Sequence, residues 1–310
     1  METKNKIIVI LGQTATGKSD YAVEVALYLK KIGINAEIIS ADSRQVYKNM
    51  NIGTGKITKK EMRGVPHHML DVINPKKIYT VANYQKDVDK ILKDIYKRGT
   101  IPIICGGTGF YIDAVVDGTI LPEVPPDETL RKELAKQTTE QLYKTLVKLD
   151  KNRASAIDKN NKVRLIRAIE IVKTLGKVPQ LKAPKSPFEV LKIGLALPDE
   201  VLKNKIKIRL LARMKKGMMK EIESLHSPKQ GFGLTWKRLE ALGLEYRYGA
   251  LCLQGKITKE KMLEELNTEI WHYAKRQNTW FKRDQKTVWI DSREIHEKAR
   301  GLMKIKEFLR

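Results

Sequence analysis

The sequence predicts an α/β protein: a parallel sheet with flanking helices and one helical insertion domain. Short apolar segments alternate with amphipathic segments through the first 120 residues, which favours strands joined by helices. A glycine-rich phosphate motif directly follows the first apolar segment, and a proline-punctuated helical stretch interrupts the pattern after residue 120. Strands connected by helices pair in parallel because the chain must cross back over the sheet.

The elements of the first 120 residues are assigned from hydrophobic periodicity. Continuous apolar runs predict strands at residues 7–11, 36–40 and 101–105, and apolar residues at helical spacing predict helices at residues 18–31 and 81–98. The first run is too short for a membrane span or for the apolar part of a signal peptide, so we expect a buried strand.

The pattern changes near residue 121. Prolines cluster between positions 122 and 126, and helical periods then run to residue 175 without an evident strand. We interpret residues 121–186 as a helical insertion domain, and we expect residues 1–120 and 187–310 to form one catalytic core. In the second part of that core, the pattern predicts strands at 191–197 and 288–290 and long helices at 199–226, 237–254 and 259–282.

The chain is strongly basic, with 60 Lys and Arg residues against 36 Asp and Glu residues and a net charge of +24. Because each phosphate that a cation neutralises releases counterions, we expect a polyanionic partner. A lysine-rich proteome would give a similar composition, so charge alone leaves this open. The only cysteines, Cys105 and Cys252, disfavour a disulfide framework or a cysteine zinc site and favour a reducing cytoplasm.

Residues 12–19 match the phosphate-binding pattern G-x-x-x-x-G-K-[ST], between a predicted strand and a predicted helix. They are Gly12, Gln13, Thr14, Ala15, Thr16, Gly17, Lys18 and Ser19. Backbone N–H groups would bind phosphate oxygens, Lys18 would add a cation, and the Ser19 hydroxyl could ligate Mg²⁺. The motif indicates a P-loop NTPase-like core with a di- or triphosphate site, although an ordinary glycine-containing turn is the alternative. It leaves the reaction open.

Polar residues follow the second and third predicted strands, at the edge where α/β proteins bind ligands. Asp42 could hold Mg²⁺ through water, act as a general base, or merely cap the next turn. Thr108, in the glycine-rich segment 106–111, offers a donor and an acceptor near Asp42, unless that segment is only a flexible turn. His67 and His68 are neighbours that a strand would point to opposite faces, so we do not expect them to share a metal ion.

Several segments, taken in order, resemble the tRNA dimethylallyltransferases, also called isopentenyl-tRNA transferases. The most specific are Asp-Ser-Arg-Gln-Val-Tyr at 42–47, Gly-Gly-Thr-Gly-Phe-Tyr at 106–111 and Lys-Arg-Gln-Asn-Thr-Trp-Phe at 275–281. Residues 53–56, 65–71 and 160–170, and Arg209 with Gly217, match further family segments. The zinc finger of the eukaryotic relatives is missing, which implies a bacterial-type enzyme.

The resemblance implies transfer of a dimethylallyl group from dimethylallyl diphosphate to N6 of the adenine 3′ of the anticodon in tRNA, with Mg²⁺ as cofactor. It implies that residues 12–19 hold the diphosphate and that Ser19 is a metal ligand. Asp42 resembles the base that accepts the N6 proton. Thr108 resembles its neighbour, in contact with the adenine or the bridging oxygen, and Arg209 resembles a second cation on the leaving diphosphate.

The family's tRNA contacts map onto Asp42, Ser43, Arg44, Gln45, Thr108, Arg131, Lys162, Arg164, Arg167, Gly243, Arg247, Lys275, Arg276, Gln277, Thr279, Trp280 and Arg283. Without the resemblance, the segment around Trp280 is equally an amphipathic helix with its tryptophans in the core. Three segments depart from the family's usual residues. Gly53-Thr54-Gly55-Lys56 replaces Gly-Thr-Ala-Lys, Gly243-Leu244-Glu245-Tyr246 replaces Gly-Tyr-Lys-Glu, and Asn160-Asn161-Lys162-Val163-Arg164 replaces Asn-Asp-Pro-x-Arg.

Three other functions stay open on the sequence. An adenylate isopentenyltransferase would share the donor site, but its free nucleotide acceptor needs neither an insertion nor a basic surface. A P-loop kinase of a small metabolite would bind ATP at residues 12–19 and leave the basic surface unexplained. An RNA-binding switch that hydrolyses nucleotide would not need Asp42 and Thr108. We expect a cytoplasmic monomer that binds tRNA and no membrane.

Overall fold

The structure is a computed structural model, and it describes residues 5–119, 122, 124–179 and 186–310. The chain divides into two compact units, residues 1–118 with 185–310 and residues 119–184. Residue 121, where the sequence places the start of the insertion domain, lies outside the described residues. Each unit is described by itself below.

The larger unit is built on a parallel sheet. In the described residues its strands are β1 (Asn5–Gly12), β2 (Ala36–Ala41), β3 (His67–His68), β4 (Ile101–Gly106), β5 (Phe188–Ala196) and β6 (Val288–Asp291). They lie in the order β3-β2-β4-β1-β5-β6, and each neighbouring pair is parallel. The predicted α/β class is therefore confirmed. Strand β3 was not predicted, because two residues are too few to show a period.

Both faces of the sheet are covered, which explains the continuous apolar run in β1. Side chains alternate across a strand, so Ile7 packs in one core with Val88, while Ile8 packs in the other with Leu29. All four residues are fully buried. Each such aliphatic side chain contributes about 1.5–3 kcal/mol relative to exposure, so a charged residue in the middle of β1 would disrupt the unit.

Helices flank this sheet and make up most of the other regular structure in the described residues. Before the insertion they are α1 (Lys18–Lys31), α2 (Lys59–Met62), α3 (Val81–Lys97) and α4 (Gly109–Val116). The smaller unit contains α5 (Glu128–Leu134), α6 (Thr139–Leu149), α7 (Lys151–Ala156) and α8 (Lys162–Leu175). The C-terminal part contains α9 (Asp199–Lys215), α10 (Met218–His226), α11 (Trp236–Leu242), α12 (Leu244–Leu253), α13 (Lys259–Phe281) and α14 (Ile295–Leu309). In the part of the chain that the structure describes, no helix is long and apolar enough to span a bilayer.

Two of the predicted long helices are wrong, because a glycine interrupts each of them. Gly217 has φ 97° and separates α9 from α10, and Gly243 has φ 77° and separates α11 from α12. Residues with side chains rarely adopt such positive φ values, whereas glycine does so at little cost and commonly ends a helix there. The break lets α12 turn back, so that Tyr246 packs in the main core.

The smaller unit has a hydrophobic core of its own. Leu142, Leu146, Leu165 and Ile169 are fully buried and pack together between α6 and α8. The apolar side chains recur at helical spacing on both helices, as the sequence pattern indicates. Residues 124–179 contain helices and loops without a strand.

The carboxyl ends of three strands lie side by side. Gly106 of β4 pairs with Leu11 of β1 on one side and with Ala41 of β2 on the other. The loops that leave these strands are the phosphate motif, the segment after Ala41 and the segment after Gly106. The sheet therefore brings together three segments that are far apart in sequence.

Candidate active site

The phosphate loop is a closed turn between β1 and α1. The Thr16 hydroxyl donates to the Gln13 carbonyl at 2.8 Å, and the Gln13 side-chain amide donates to the Ala274 carbonyl of α13 at 3.2 Å. Ala15 and Gly17 have φ values of 64° and 88°, which curl the backbone. The loop thus presents the N-terminus of α1, with its N–H groups and positive dipole end, to the cavity beside it.

Lys18 supplies a cation at this loop. Its Nζ donates to the Gln13 carbonyl at 2.5 Å. Burial lowers the pKa of Lys18 to about 8; nearby Cys105 opposes the shift, and the Arg209 charge adds to it. A bound anion would favour the charged amine, so the site is arranged to gain from a phosphate ligand. The neighbouring Ser19 is exposed at the start of α1.

Arg209 reaches the phosphate loop from α9. Its Nη1 donates to the Thr14 hydroxyl at 3.4 Å. Burial, together with the nearby charge of Arg213, lowers the pKa of Arg209 to about 10. At neutral pH the guanidinium is still charged, so Lys18 and Arg209 place two cations beside one loop.

Asp42 follows β2 and uses one carboxylate oxygen as a cap. Its Oδ1 accepts hydrogen bonds from the N–H groups of Arg44 at 2.8 Å and Gln45 at 3.2 Å. Among the described residues no donor reaches Oδ2, and Asp42 lines the same cavity as the phosphate loop. The capping interpretation is therefore confirmed for Oδ1, and the roles as a base or a metal group stay a prediction for Oδ2.

Thr108 fastens the loop after β4 to the segment that carries Asp42. Its hydroxyl accepts from the Ser43 N–H at 3.1 Å, and its own N–H donates to the Ala41 carbonyl at 3.1 Å. Tyr273 of α13 lies against this pair. Burial raises the pKa of Tyr273, the Asp42 charge adds to the rise, and a hydrogen bond with Thr108 opposes it. Tyr273 was not predicted, because nothing in the sequence distinguishes it from the other residues of a long helix.

Gln277 on α13, which the resemblance places among the tRNA contacts, is buried. Its Oε1 accepts from the Thr14 N–H at 2.7 Å, and its Nε2 donates to the Gly107 carbonyl at 2.8 Å. It thereby bridges the phosphate loop and the loop after β4. Its neighbours Lys275, Arg276 and Thr279 are exposed, and their contacts with RNA stay a prediction.

Trp280 is a half-buried anchor of α13. Its Nε1 donates to Asp113 at 2.9 Å, Phe110 packs edge-on at 6.3 Å, and the Arg283 guanidinium lies 3.8 Å from the ring centroid. The arginine covers one face of the ring by a cation–π contact. The amphipathic interpretation thus holds for the inner face of α13, where Ala274, Gln277 and Phe281 are buried.

In the smaller unit, two predicted RNA contacts bind a buried carboxylate. Glu170 is 1% exposed, and its Oε1 and Oε2 accept from Arg131 at 2.8 and 3.0 Å, while Arg167 also pairs with Oε2. Arg167 also donates to the Val124 carbonyl at 2.8 Å. These contacts give both arginines a structural role. Arg164 is exposed, and the ammonium of Lys162 donates to the Ala135 carbonyl at 2.7 Å.

The remaining predicted contacts lie at the surface of the larger unit. Arg247 is exposed and donates to the Glu240 carbonyl at 3.0 Å, whereas Gly243 acts through its backbone, as the break between α11 and α12. Arg44 and Gln45 are half-buried beside Asp42. Gln45 also lines the cavity.

The phosphate loop, Asp42 and Arg209 line one cavity of about 550 Å³. Its wall includes Thr14, Lys18, Ser19, Asp42, Gln45, Lys56, Gly107, Arg209, Arg213, Tyr273 and Gln277, and apolar residues such as Ile38, Ile52 and Leu70. His67 also lines it, and burial lowers the pKa of that imidazole. His68 instead pairs with Glu37 at 2.7 Å. In the ranges that the structure describes, no group of three or more His, Cys, Asp or Glu residues could hold a metal ion.

The phosphate loop, its cations and the carboxylate at the edge of a parallel sheet define a P-loop α/β protein that can act on a phosphorylated substrate. The chain belongs to the IPP transferase family, whose model matches residues 45–284. It is 43% identical to a Treponema denticola protein named tRNA dimethylallyltransferase 2, over 92% of this chain and 94% of that protein.

Solved structures agree with this assignment. The full-length tRNA isopentenylpyrophosphate transferase of Bacillus halodurans superposes with a TM-score of 0.70 at 32% identity, over 99% of this chain and 96% of that one. A eukaryotic dimethylallyltransferase acting on tRNA has a TM-score of 0.75 at 27% identity, over 93% of this chain and 74% of that one.

Proposed function

We infer that this protein is a tRNA dimethylallyltransferase. It transfers a dimethylallyl group from dimethylallyl diphosphate to N6 of the adenine 3′ of the anticodon and releases diphosphate. The observation that carries this conclusion is that the phosphate loop and Asp42 line one cavity and are linked through Gln277 and the loop after β4. The relatives named above carry the same activity in their names.

The donor binds through its diphosphate. Backbone N–H groups of residues 12–19, other than the Thr14 N–H that donates to Gln277, hold the phosphate oxygens. Lys18 and Arg209 balance the charge that grows as the diphosphate departs. The Ser19 hydroxyl, together with diphosphate oxygens and water, is a set of hard donors that suits Mg²⁺. When bound there, Mg²⁺ would supply further charge neutralisation on the diphosphate.

Asp42 and Thr108 serve the acceptor. The N6 amine is a weak nucleophile because its lone pair is conjugated with the adenine ring, so alignment on the allylic carbon matters most. As the N6–carbon bond forms, the carbon–oxygen bond breaks and the electron pair leaves with the diphosphate. Oδ2 of Asp42 accepts the N6 proton, while Oδ1 stays bound to the Arg44 and Gln45 N–H groups.

The tRNA is held by exposed cations. A base that enters the cavity must leave its stack, which a single-stranded anticodon loop permits. Lys275 and Arg276 are exposed on α13, on the helix that also carries Gln277 and Tyr273 of the cavity wall. They are placed to bind phosphates beside the entering nucleotide. The proposal includes a monomeric protein in the cytoplasm, where tRNA is processed.

Transfer of radiolabel tests this function. The protein is incubated with Mg²⁺ and labelled dimethylallyl diphosphate, with either unmodified tRNA or AMP as acceptor. Asp42→Asn is the matched variant, because its Oδ1 still accepts from Arg44 and Gln45 while the base is lost. We expect label on tRNA adenosine and at least about a hundred-fold slower transfer by the variant. Label on AMP alone would indicate an adenylate isopentenyltransferase, and ATP turnover without prenyl transfer would indicate a kinase or a switch.

A further inference from the structure

Arg213 on α9 is a buried cation with an unused hydrogen-bond donor. The residue is 8% exposed and lines the cavity. Its Nη1 forms an ion pair with Glu245, which is also 8% exposed. Its Nη2 is buried and finds no hydrogen-bond partner among the residues that the structure describes. A buried donor without an acceptor is costly, above all on a charged group, so Nη2 points to an anionic ligand.

Arg213 lies next to Arg209. Both guanidinium groups approach Gly55, where an added Cβ would collide with Arg213 and lie 2.8 Å from Nη2 of Arg209. Glu245 offsets one of the two positive charges. Within the part of the chain that the structure describes, the side-chain hydrogen bond of Arg209 goes to the neutral Thr14 hydroxyl of the phosphate loop. A ligand with more than one negative charge between the two guanidinium groups would balance the pair.

We propose that Arg213 binds the diphosphate of the donor through Nη2, beside Arg209. This inference rests on the proposed function, since it takes dimethylallyl diphosphate as the ligand of the cavity. Arg213 is thus a substrate-binding residue of this chain that its sequence motifs do not indicate. A planar guanidinium that is held by Glu245 presents its free edge in a fixed direction, which suits phosphate oxygens.

Two small features of the surroundings, Gly55 and Glu245, make this position of Arg213 possible. Alanine at position 55 would occupy the space of the Arg213 guanidinium, and lysine at position 245 would repel it. Gly55, Arg213 and Glu245 therefore act as one unit in this chain.

Binding of inorganic diphosphate with Mg²⁺, measured by titration calorimetry on the full chain, tests the proposal together with the KM for dimethylallyl diphosphate. Loss of Arg213 alone would leave Glu245 buried and unpaired. The double variant R213M/E245M removes both charges, a change that buried ion pairs often tolerate. R213K is a second variant, which keeps the charge and the pairing with Glu245 but loses Nη2. K215M is the control, because Lys215 is an exposed cation of the same helix that does not line the cavity.

We expect R213M/E245M and R213K to bind inorganic diphosphate about 10- to 100-fold more weakly than the wild type, as loss of a charged hydrogen bond predicts. The KM for the donor should rise in parallel, with the KM for tRNA nearly unchanged. K215M should bind as tightly as the wild type. Wild-type affinity in folded R213M/E245M or R213K would overturn the proposal, and so would an equal loss in K215M. Absence of prenyl transfer by the wild type would refute the proposed function instead, while the diphosphate affinities still decide the role of Arg213.

Discussion

Gln277 joins the phosphate loop to the loop after β4. Its replacement by methionine tests whether this bridge keeps the two loops in position. The change keeps the length of the side chain and removes both hydrogen bonds, to the Thr14 N–H and to the Gly107 carbonyl. Gln277 is 6% exposed, so water has little access to the groups that it leaves. Among the hydrogen bonds of the described residues, Gln277 is the α13 side chain that bonds to both loops at once, while the bond from Gln13 to the Ala274 carbonyl would remain.

The size of the effect follows from the two bonds. A hydrogen bond contributes about 0.5–1.5 kcal/mol net, and a buried group that loses its partner costs about 1–3 kcal/mol. The bond to Gly107 is buried and the bond to Thr14 is partly buried. We therefore expect the free energy of unfolding to fall by about 2–4 kcal/mol. Misplacement of the loops should also lower kcat by about ten-fold or more.

Urea denaturation and the prenyl-transfer assay measure the two effects separately. Gln277→Glu is the matched control, because its carboxylate still accepts from Thr14 but has no donor for Gly107 when ionised. Its stability and kcat should lie between those of the wild type and the methionine variant. A methionine variant with the urea midpoint, slope and kcat of the wild type would show that the bridge does not organise the site.

Two further predictions concern charges. Because burial lowers the pKa of Lys18 to about 8 and a diphosphate favours the charged amine, the KM for dimethylallyl diphosphate should rise as the pH increases above about 8; a KM that stays constant up to about pH 9.5 would contradict this role. Glu170→Gln removes a carboxylate between two arginines that are 31% and 34% exposed. The free energy of unfolding of the smaller unit should fall by about 2–4 kcal/mol, less than for a fully buried ion pair. Amide hydrogen exchange in α5 and α8 measures this loss. The exposed Arg164→Gln control should leave this exchange unchanged, and equal protection in both variants would refute the structural role of Glu170.

Local signals in the sequence predicted much of the fold. The strand before residue 12 and the helix at Lys18–Lys31 are found as predicted. Each could be predicted because the hydrophobic pattern of a short segment determines its secondary structure. The helices predicted at 199–226 and 237–254 were wrong, because where they break depends on contacts with distant residues. Helices tolerate glycine at a modest cost, so its presence does not reveal whether the chain turns there. At Gly217 and Gly243 the chain does turn, and tertiary packing determines this.

The residue types of the candidate site could be predicted from the sequence, whereas the hydrogen bonds that each side-chain atom makes could not. Gly12–Ser19 as a phosphate motif and Asp42 and Thr108 as strand-end groups follow from their position after apolar strands. The double use of the Asp42 carboxylate, as cap and as open acceptor, depends on the conformation of the following turn.

By itself, the sequence determined the α/β class, the phosphate loop and the basic surface charge, since these depend on patterns within short segments and on composition. Only the tertiary structure decided that Gln277 bonds to Thr14, 263 positions away, and that Arg213 pairs with Glu245 while it faces Gly55. Contacts between distant segments leave no period or spacing in the chain. They exist because the sheet order and the path of α9 and α13 bring those side chains to one cavity.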